Sequence, residues 1–142
     1  METADPVEIP ASHRNLLEGP FDAVLVTVMP DGQPQATVVW CSLAEPYVLI
    51  NTMRGFRKEK NMRANPKVSL LVVDPATASR WIEVRGTVDL IDVGANEHLN
   101  ELTALYTEAS RYFGEVVPEE LAAFEAPVIG RITPVRVRAE AF

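Results

Sequence analysis

Residues 21–52 read FDAVLVTVMPDGQPQATVVWCSLAEPYVLINT, and this stretch decides the fold class. Phe21 to Met29 is dense in β-branched residues, which suit a pleated, half-buried strand. Pro30-Asp31-Gly32-Gln33 follows, and Asp-Gly at the centre of a turn between apolar runs is a strong hairpin signal. Pro34 to Leu43 is the return strand. Ala44-Glu45-Pro46 turns the chain again, and Tyr47 to Thr52 makes a third strand. Three consecutive strands at hairpin spacing pair antiparallel.

Working outward, Phe56 to Asn65 suits one short helix, closed by Asn65-Pro66 because the residue before proline avoids the helical region. Val68 to Asp74 is a fourth strand. Arg80 to Asp92 alternates cleanly: Ile82, Val84, Val88 and Leu90 face one way, Glu83, Arg85, Thr87 and Asp89 the other. That is a half-exposed antiparallel strand, with Gly86 a bulge or bend. An amphipathic helix is predicted from Ala95 to Tyr112 on the stripe Ala95, Leu99, Leu102, Tyr106, Ala109 and Phe113. A second short helix is predicted over Pro118 to Phe124. Val128 to Phe142 alternates again, Val135, Val137 and Ala139 against Arg136, Arg138 and Glu140. On the N-terminal side, Pro10 to Glu18 reads as a short helix with Ser12 as its cap, ended by Gly19-Pro20. Residues 1–9 read as a loose acidic tail. Six strands without βαβα alternation exclude a doubly wound sheet. The expectation is a mainly β, α+β single domain over residues 1–142: a six-stranded antiparallel barrel, which leaves few open edges, with short flanking helices.

The 142 residues are one domain's worth of chain, with 47% hydrophobic and 23% charged residues, so a packed core is expected and disorder is not. No apolar run approaches the ~20 residues of a membrane helix, and no signal-peptide pattern follows Met1. A cytoplasmic location is expected. The single cysteine, Cys41, lies in an apolar strand and reads as a small buried hydrophobe. His13 and His98 share no ligand spacing with it, so no metal site is expected, and both read as solvated surface residues. The seven glycines contain neither G-x-G-x-x-G nor a P-loop, and no nucleophile elbow is present. The net charge of −7 argues against nucleic acid as a general partner.

One segment runs against that charge. Arg54, Arg57, Lys58, Lys60, Arg63 and Lys67 stand against Glu59 alone, a local +5 that leaves −12 for the rest of the chain. A solvated helix face explains such a run as readily as an anion site. Its placement directly after strand Tyr47–Thr52 favours the anion site: a ligand lying along the strand would set a phosphate at the helix entrance. Single-stranded nucleic acid would use the same cations, but only Phe56 supplies a stacking surface among them.

An ordered set of motifs crosses these elements: Asp31-Gly32-Gln33-Pro34, Asn51-Thr52-x-x-Gly55-x-Arg57-Lys58-x-x-Asn61, Asn65-Pro66-x-Val68-Ser69-Leu70 and Glu83-Val84-Arg85-Gly86. Together they resemble the pyridoxamine 5'-phosphate oxidase-like split-barrel superfamily, most nearly its actinobacterial branch that uses the deazaflavin coenzyme F-420. The resemblance covers about Leu16 to Leu105, and Ile132 to Val137 more loosely. It implies a six-stranded antiparallel barrel and a homodimer with cofactor at the subunit interface. It also implies that Arg57 and Lys58 hold the cofactor phosphate. Asn51 and Thr52 would run beside the ring system and ribityl chain, Thr37, Val38 and Val39 would line the ring, and Asn61 would order the phosphate loop. Trp81 stands where the FMN-binding branch often carries a polar residue; a barrel or interface tryptophan is the simpler reading. Arg136 and Arg138 are the only late basic candidates for a substrate phosphate, so vitamin B6 oxidation is not expected.

The resemblance further implies an oxidoreductase in which the cofactor carries the chemistry, with no catalytic side chain. The expected reaction is hydride transfer from the reduced deazaflavin to an electrophilic C=C or C=N bond of a small-molecule substrate. FMN in the same site, as oxidoreductase or flavin reductase, is the alternative. A non-catalytic carrier of a flavin-like or tetrapyrrole ligand is the second alternative.

Overall fold

The structure, a computed structural model, describes residues 5–142. Seven strands form one antiparallel sheet: β1 Ala23–Val28, β2 Pro34–Val39, β3 Cys41–Ala44, β4 Tyr47–Met53, β5 Lys67–Val73, β6 Trp81–Ile91 and β7 Pro127–Glu140. Three helices flank it: α1 Arg14–Glu18, α2 Arg57–Ala64 and α3 Ala95–Tyr106, with a 3-10 turn at Glu119–Ala123. The spatial order is β2-β1-β5-β6-β7-β4-β3. Its outermost strands, β2 and β3, are consecutive in the chain and separated by Trp40 alone. Laid flat, the two edges of such a sheet would stand roughly 29 Å apart. The link Val39–Trp40–Cys41 reaches at most about 7 Å. The sheet therefore curls until its edges meet, and the result is the expected split barrel.

The strand count differs from the expected six for one local reason. Pro34–Leu43 reads as a single return strand, but it breaks at Trp40: β2 pairs with β1, and β3 pairs with β4. At the break the Tyr106 hydroxyl accepts from the Cys41 N–H at 3.0 Å and lies 2.9 Å from the Phe21 carbonyl. Tyr106 also stacks on Trp40, with ring centroids 5.2 Å apart. A side chain from α3 thus satisfies the amide that a continuous ladder would have used.

Alternation fills the barrel. Leu25, Ile50, Leu70, Ile82, Val84 and Ile132 are fully buried, each contributing about 1.5–3 kcal/mol of apolar transfer. Cys41 joins this core as expected; its thiol is pushed up to about 11 by burial, partly opposed by a hydrogen bond from Tyr106. The β6–β7 ladder shifts register between Arg85 and Gly86: Arg85 pairs with Arg136 and Gly86 with Pro134, so the extra residue is Val135 of β7, opposite Gly86, rather than Gly86 itself. A Cβ there would stand 2.1 Å from the Thr133 carbonyl oxygen, so only glycine fits.

Several boundaries differ from the sequence reading. The long helix predicted to Tyr112 ends at Tyr106. Thr107 is extended, and its hydroxyl donates to the Thr103 carbonyl and accepts from the Ala109 N–H, competing with the helix. Glu115 then caps the amides of Ser110 and Arg111. α1 starts at Arg14, with His13 rather than Ser12 at its N-cap position. Of the segment 1–9, residues 1–4 lie outside the described residues; the Val7 N–H bonds to the Pro134 carbonyl, and Ile9 is buried. Both histidines are buried, not solvated. His13 bonds Ser12 Oγ and the Glu140 carbonyl, each at 2.8 Å. His98 is covered by packing of α3 on the sheet. Polar neighbours in sequence misled because His98 occupies the face of α3 that meets the barrel, and His13, just before α1, turns in to the end of β7.

Candidate functional site

Strand β4 ends at Met53 and turns through Arg54-Gly55-Phe56 into α2. The turn is built by Glu59. Its side chain is fully buried, Oε1 accepts from the Gly55 N–H at 2.7 Å, and Oε2 pairs with Arg63. Glu59 sits at the third helical position and reaches back over the helix start, as in a capping box. No side chain caps the α2 N-terminus directly, so its first amides point outward with the positive end of the helix dipole.

Beside that helix start runs a groove of about 240 Å³, walled by β4, the β2–β3 break and α3. Val38, Val39, Trp40, Met53, Phe56 and Tyr112 give it an apolar lining, to which Leu99 and Leu102 add from α3. Polar character is confined to Asn51, Thr52 and Lys58. Thr52 Oγ1 and Asn51 Oδ1 are buried and have no hydrogen-bond partner. Burying such an oxygen unpaired is costly unless something else supplies the bond. The Lys58 ammonium is half-buried, and burial alone pushes its pKa below the ordinary lysine value. No carboxylate among the described residues pairs with it.

The residues singled out in the sequence divide cleanly. Val38, Val39, Asn51, Thr52 and Lys58 line the groove together. Thr37 lies just outside it, two residues before Val39 on the same side of β2, with its own Oγ1 buried and unpartnered. Arg57 is exposed at the first residue of α2 and reaches only Asn61 Oδ1, at 3.5 Å. Asn61 is buried beneath the helix, its Nδ2 3.0 Å from Thr27 Oγ1 and 3.2 Å from Gln35 Oε1. It pins α2 to the β1–β2 hairpin and so sets where Lys58 stands. Trp81 is away from the groove, on the outer face of β6 under the Arg138 guanidinium.

Sequence reasoning missed Trp40, Met53, Phe56, Leu99, Leu102 and Tyr112 as lining residues. Met53 and Phe56 flank the motif already marked. Leu99 and Leu102 belong to the α3 stripe, read as core only, since periodicity cannot tell a core-facing stripe from one that walls a cleft. Larger concavities lie on the outer face of β1, β5 and β6, and beside the 3-10 turn, but neither contains the unpaired lysine or a buried orphan oxygen.

Among known proteins, the sequence profile described as pyridoxamine 5'-phosphate oxidase matches residues 9–141. A solved F420 reductase is 26% identical, covers 92% of this chain and 98% of its own, and superposes with a TM-score of 0.77. A conserved hypothetical protein of Mycobacterium tuberculosis is 25% identical over 99% of this chain and 89% of its own, with a TM-score of 0.71. A FAD-binding protein of Mesorhizobium loti, 22% identical over 94% and 96%, shares the fold with a TM-score of 0.66. No curated protein matches the chain in sequence.

Proposed function

Because the chain belongs to the pyridoxamine 5'-phosphate oxidase family, we propose that its groove binds a phosphate-bearing flavin-type cofactor and that the protein is a reductase of small organic substrates. Coenzyme F-420 is the cofactor proposed first, and FMN is the alternative. Family-level kinship is to flavin- and deazaflavin-linked oxidoreductases.

The observation that carries the proposal is Lys58: a half-buried ammonium at a helix start, with no carboxylate partner, at the end of an apolar groove. A phosphate there gains a charge-assisted bond and the helix dipole together. The unpartnered oxygens of Asn51 and Thr52 fit the hydroxyls or ring N–H groups of such a cofactor. The apolar lining formed by Val38, Val39 and Trp40 fits a flat ring. Arg57, exposed one residue before Lys58, adds positive charge at the entrance.

When bound, a reduced deazaflavin supplies hydride to an electrophilic C=C or C=N bond. The chain's own residues do the rest. Lys58 and the open α2 amides fix the anionic end, Glu59 and Asn61 hold α2 in place, and Trp40, locked by Tyr106, keeps one side of the groove rigid. The hydrophobic walls exclude water from one face of the ring.

A homodimer completes this reading. At about 240 Å³ the groove falls short of the ~300–1,000 Å³ of closed ligand pockets. Val38, 65% exposed, lines the groove and also heads the outer row Val38, Val24, Leu71 across three strands. A second copy packed on that outer face would roof the groove at the interface.

Titrating the protein with coenzyme F-420 and with FMN by calorimetry tests the assignment. Tighter F-420 binding is expected. Equal or tighter FMN binding assigns the flavin instead, and no binding of either removes the cofactor reading. Loaded protein that turns over no member of a panel of enones, quinones and biliverdin-like compounds would be a carrier.

A further inference from the structure

His98 lies between α3 and the strands beneath it, and its hydrogen bonds admit one arrangement. Asn51 Nδ2 stands 2.9 Å from the Ala95 carbonyl oxygen. An amide oxygen in that place would face another oxygen, so the donor end of Asn51 is fixed there. The same Nδ2 lies 3.1 Å from His98 Nδ1, which must therefore accept. The imidazole proton sits on Nε2 and points to Ser42 Oγ at 3.0 Å. Both Nδ2 hydrogens are thereby used, and Asn51 Oδ1 is left without a partner. One neutral ring thus joins α3 to β4 and β3, at the seam between two walls of the groove.

We infer that His98 is a positioning residue that fastens α3 to β4 as its neutral Nε2–H tautomer, and that taking up a proton on Nδ1 releases this wall of the groove. The second proton would place N–H against N–H with no acceptor. Turning Asn51 over would serve Nδ1 but set its oxygen against the Ala95 carbonyl. Either way the α3–β4 bridge is lost, while Leu99 and Leu102 of α3 and Asn51 and Thr52 of β4 face each other across the groove.

The charged surroundings allow the switch. Burial disfavours the imidazolium and pushes His98 below its ordinary value, and Glu101 on α3 opposes this in part. Glu97 on the same helix is exposed. From β7, Arg131 is engaged by Asp89 of β6 and lies over the ring of Tyr47 on β4. β3 contributes Ser42, and the adjacent Cys41 thiol is kept protonated by burial.

The consequence for ligand affinity rests on the groove being the cofactor site; the latch itself does not. Imidazole nitrogen NMR of the full chain reads the latch without ligand. The expected result is Nε2–H at neutral pH and a midpoint below about 6.5, with the Leu99 and Leu102 amides shifting at that midpoint. In His98→Asn, whose side-chain oxygen can accept from Asn51 but cannot titrate, that transition should vanish. An Nδ1–H tautomer, a midpoint not lowered from the ordinary histidine value, a titration that leaves the α3 amides unmoved, or the same transition in His98→Asn would each overturn the proposal. Affinities for F-420 and FMN should weaken about tenfold through the transition in the wild type and not in His98→Asn; unchanged affinity separates the latch from the groove. Failure of both cofactors to bind at any pH refutes the cofactor reading while the NMR still decides the latch.

Discussion

A lysine half withdrawn from water without a counter-charge is unfavourable to the free protein, and Lys58 is such a residue. Its replacement separates binding from folding. Lys58→Ala should weaken cofactor binding by about 1.5–3 kcal/mol, the worth of a hydrogen bond to a charged group. It should leave the urea midpoint unchanged or slightly raised, because a desolvated charge is removed. Calorimetry beside a denaturation curve checks both. The pH dependence follows from the sign of the shift. The ammonium form is needed for the phosphate, and burial lowers the pKa, so affinity should begin to fall below the ordinary 10.5 as the solution is made alkaline. Lys58→Ala should lack that alkaline limb. Glu59 behaves oppositely. Fully buried and bonded to the Gly55 N–H, it supports the turn that carries Lys58. Glu59→Ala should destabilise by about 1–3 kcal/mol through the orphaned amide, read as a lower urea midpoint. The sequence displayed Lys58 as part of a charge run, and Glu59 only as the exception within it. Composition counts charges but does not say which are buried, so the structural carboxylate stayed hidden while the cation proposed for binding stood out. Arg57 was legible for the same reason, yet its side chain is exposed, outside the groove lining.

At the scale of elements, alternation was a reliable guide wherever one face met the core. β6 shows it best: Ile82, Val84 and Val88 are buried as their spacing requires, and the register shift falls beside Gly86, with the extra residue on β7. What could not be read was the end of α3, where Thr107 turns extended, or the break at Trp40, which the last residue of that helix holds. Tyr106 closes α3, stacks on Trp40 and gives its hydroxyl to the backbone of Cys41, a contact across 65 positions of sequence. Local propensity carries no trace of such a partner. Tyr106→Phe keeps the ring stack and deletes only the hydroxyl. The Cys41 N–H then loses its acceptor, and a loss of about 1–3 kcal/mol is expected. Because β2 and β3 meet at this point, amide exchange should quicken at Cys41 and its β3–β4 neighbours before it does in β6. Uniform exchange changes, or no loss of stability, would show that the ladder does not depend on the Tyr106 hydroxyl.

The whole molecule is a sheet whose two edges are one interrupted strand, and the groove lies where that strand breaks. This placement explains why the barrel was legible and the site only partly so. Strand number and antiparallel pairing follow from turns and periodicity, which are local. The walls of the groove come from β2, β4, α2, α3 and the loop bearing Tyr112, brought together only by the curling of the sheet. The outer face of that sheet leads to the last prediction. Val24, Val26, Val38, Leu71 and Val73 present apolar surface across β2, β1 and β5, with Val38 and Val73 exposed by 65% and 40%. A contiguous apolar face of this kind marks an association surface. If a second copy covers it, as the family resemblance implies, a charge placed on it should separate the subunits without touching the core. Val73→Asp is suited to this, since its side chain points outward at the end of β5 and makes no contribution to the buried cluster. Light scattering should then report the monomer mass, the thermal midpoint should lose its dependence on protein concentration, and cofactor affinity should fall although Lys58, Asn51 and Thr52 are intact. A monomeric variant with full affinity would mean that one chain suffices for the site. A variant that remains dimeric would place the interface on another face.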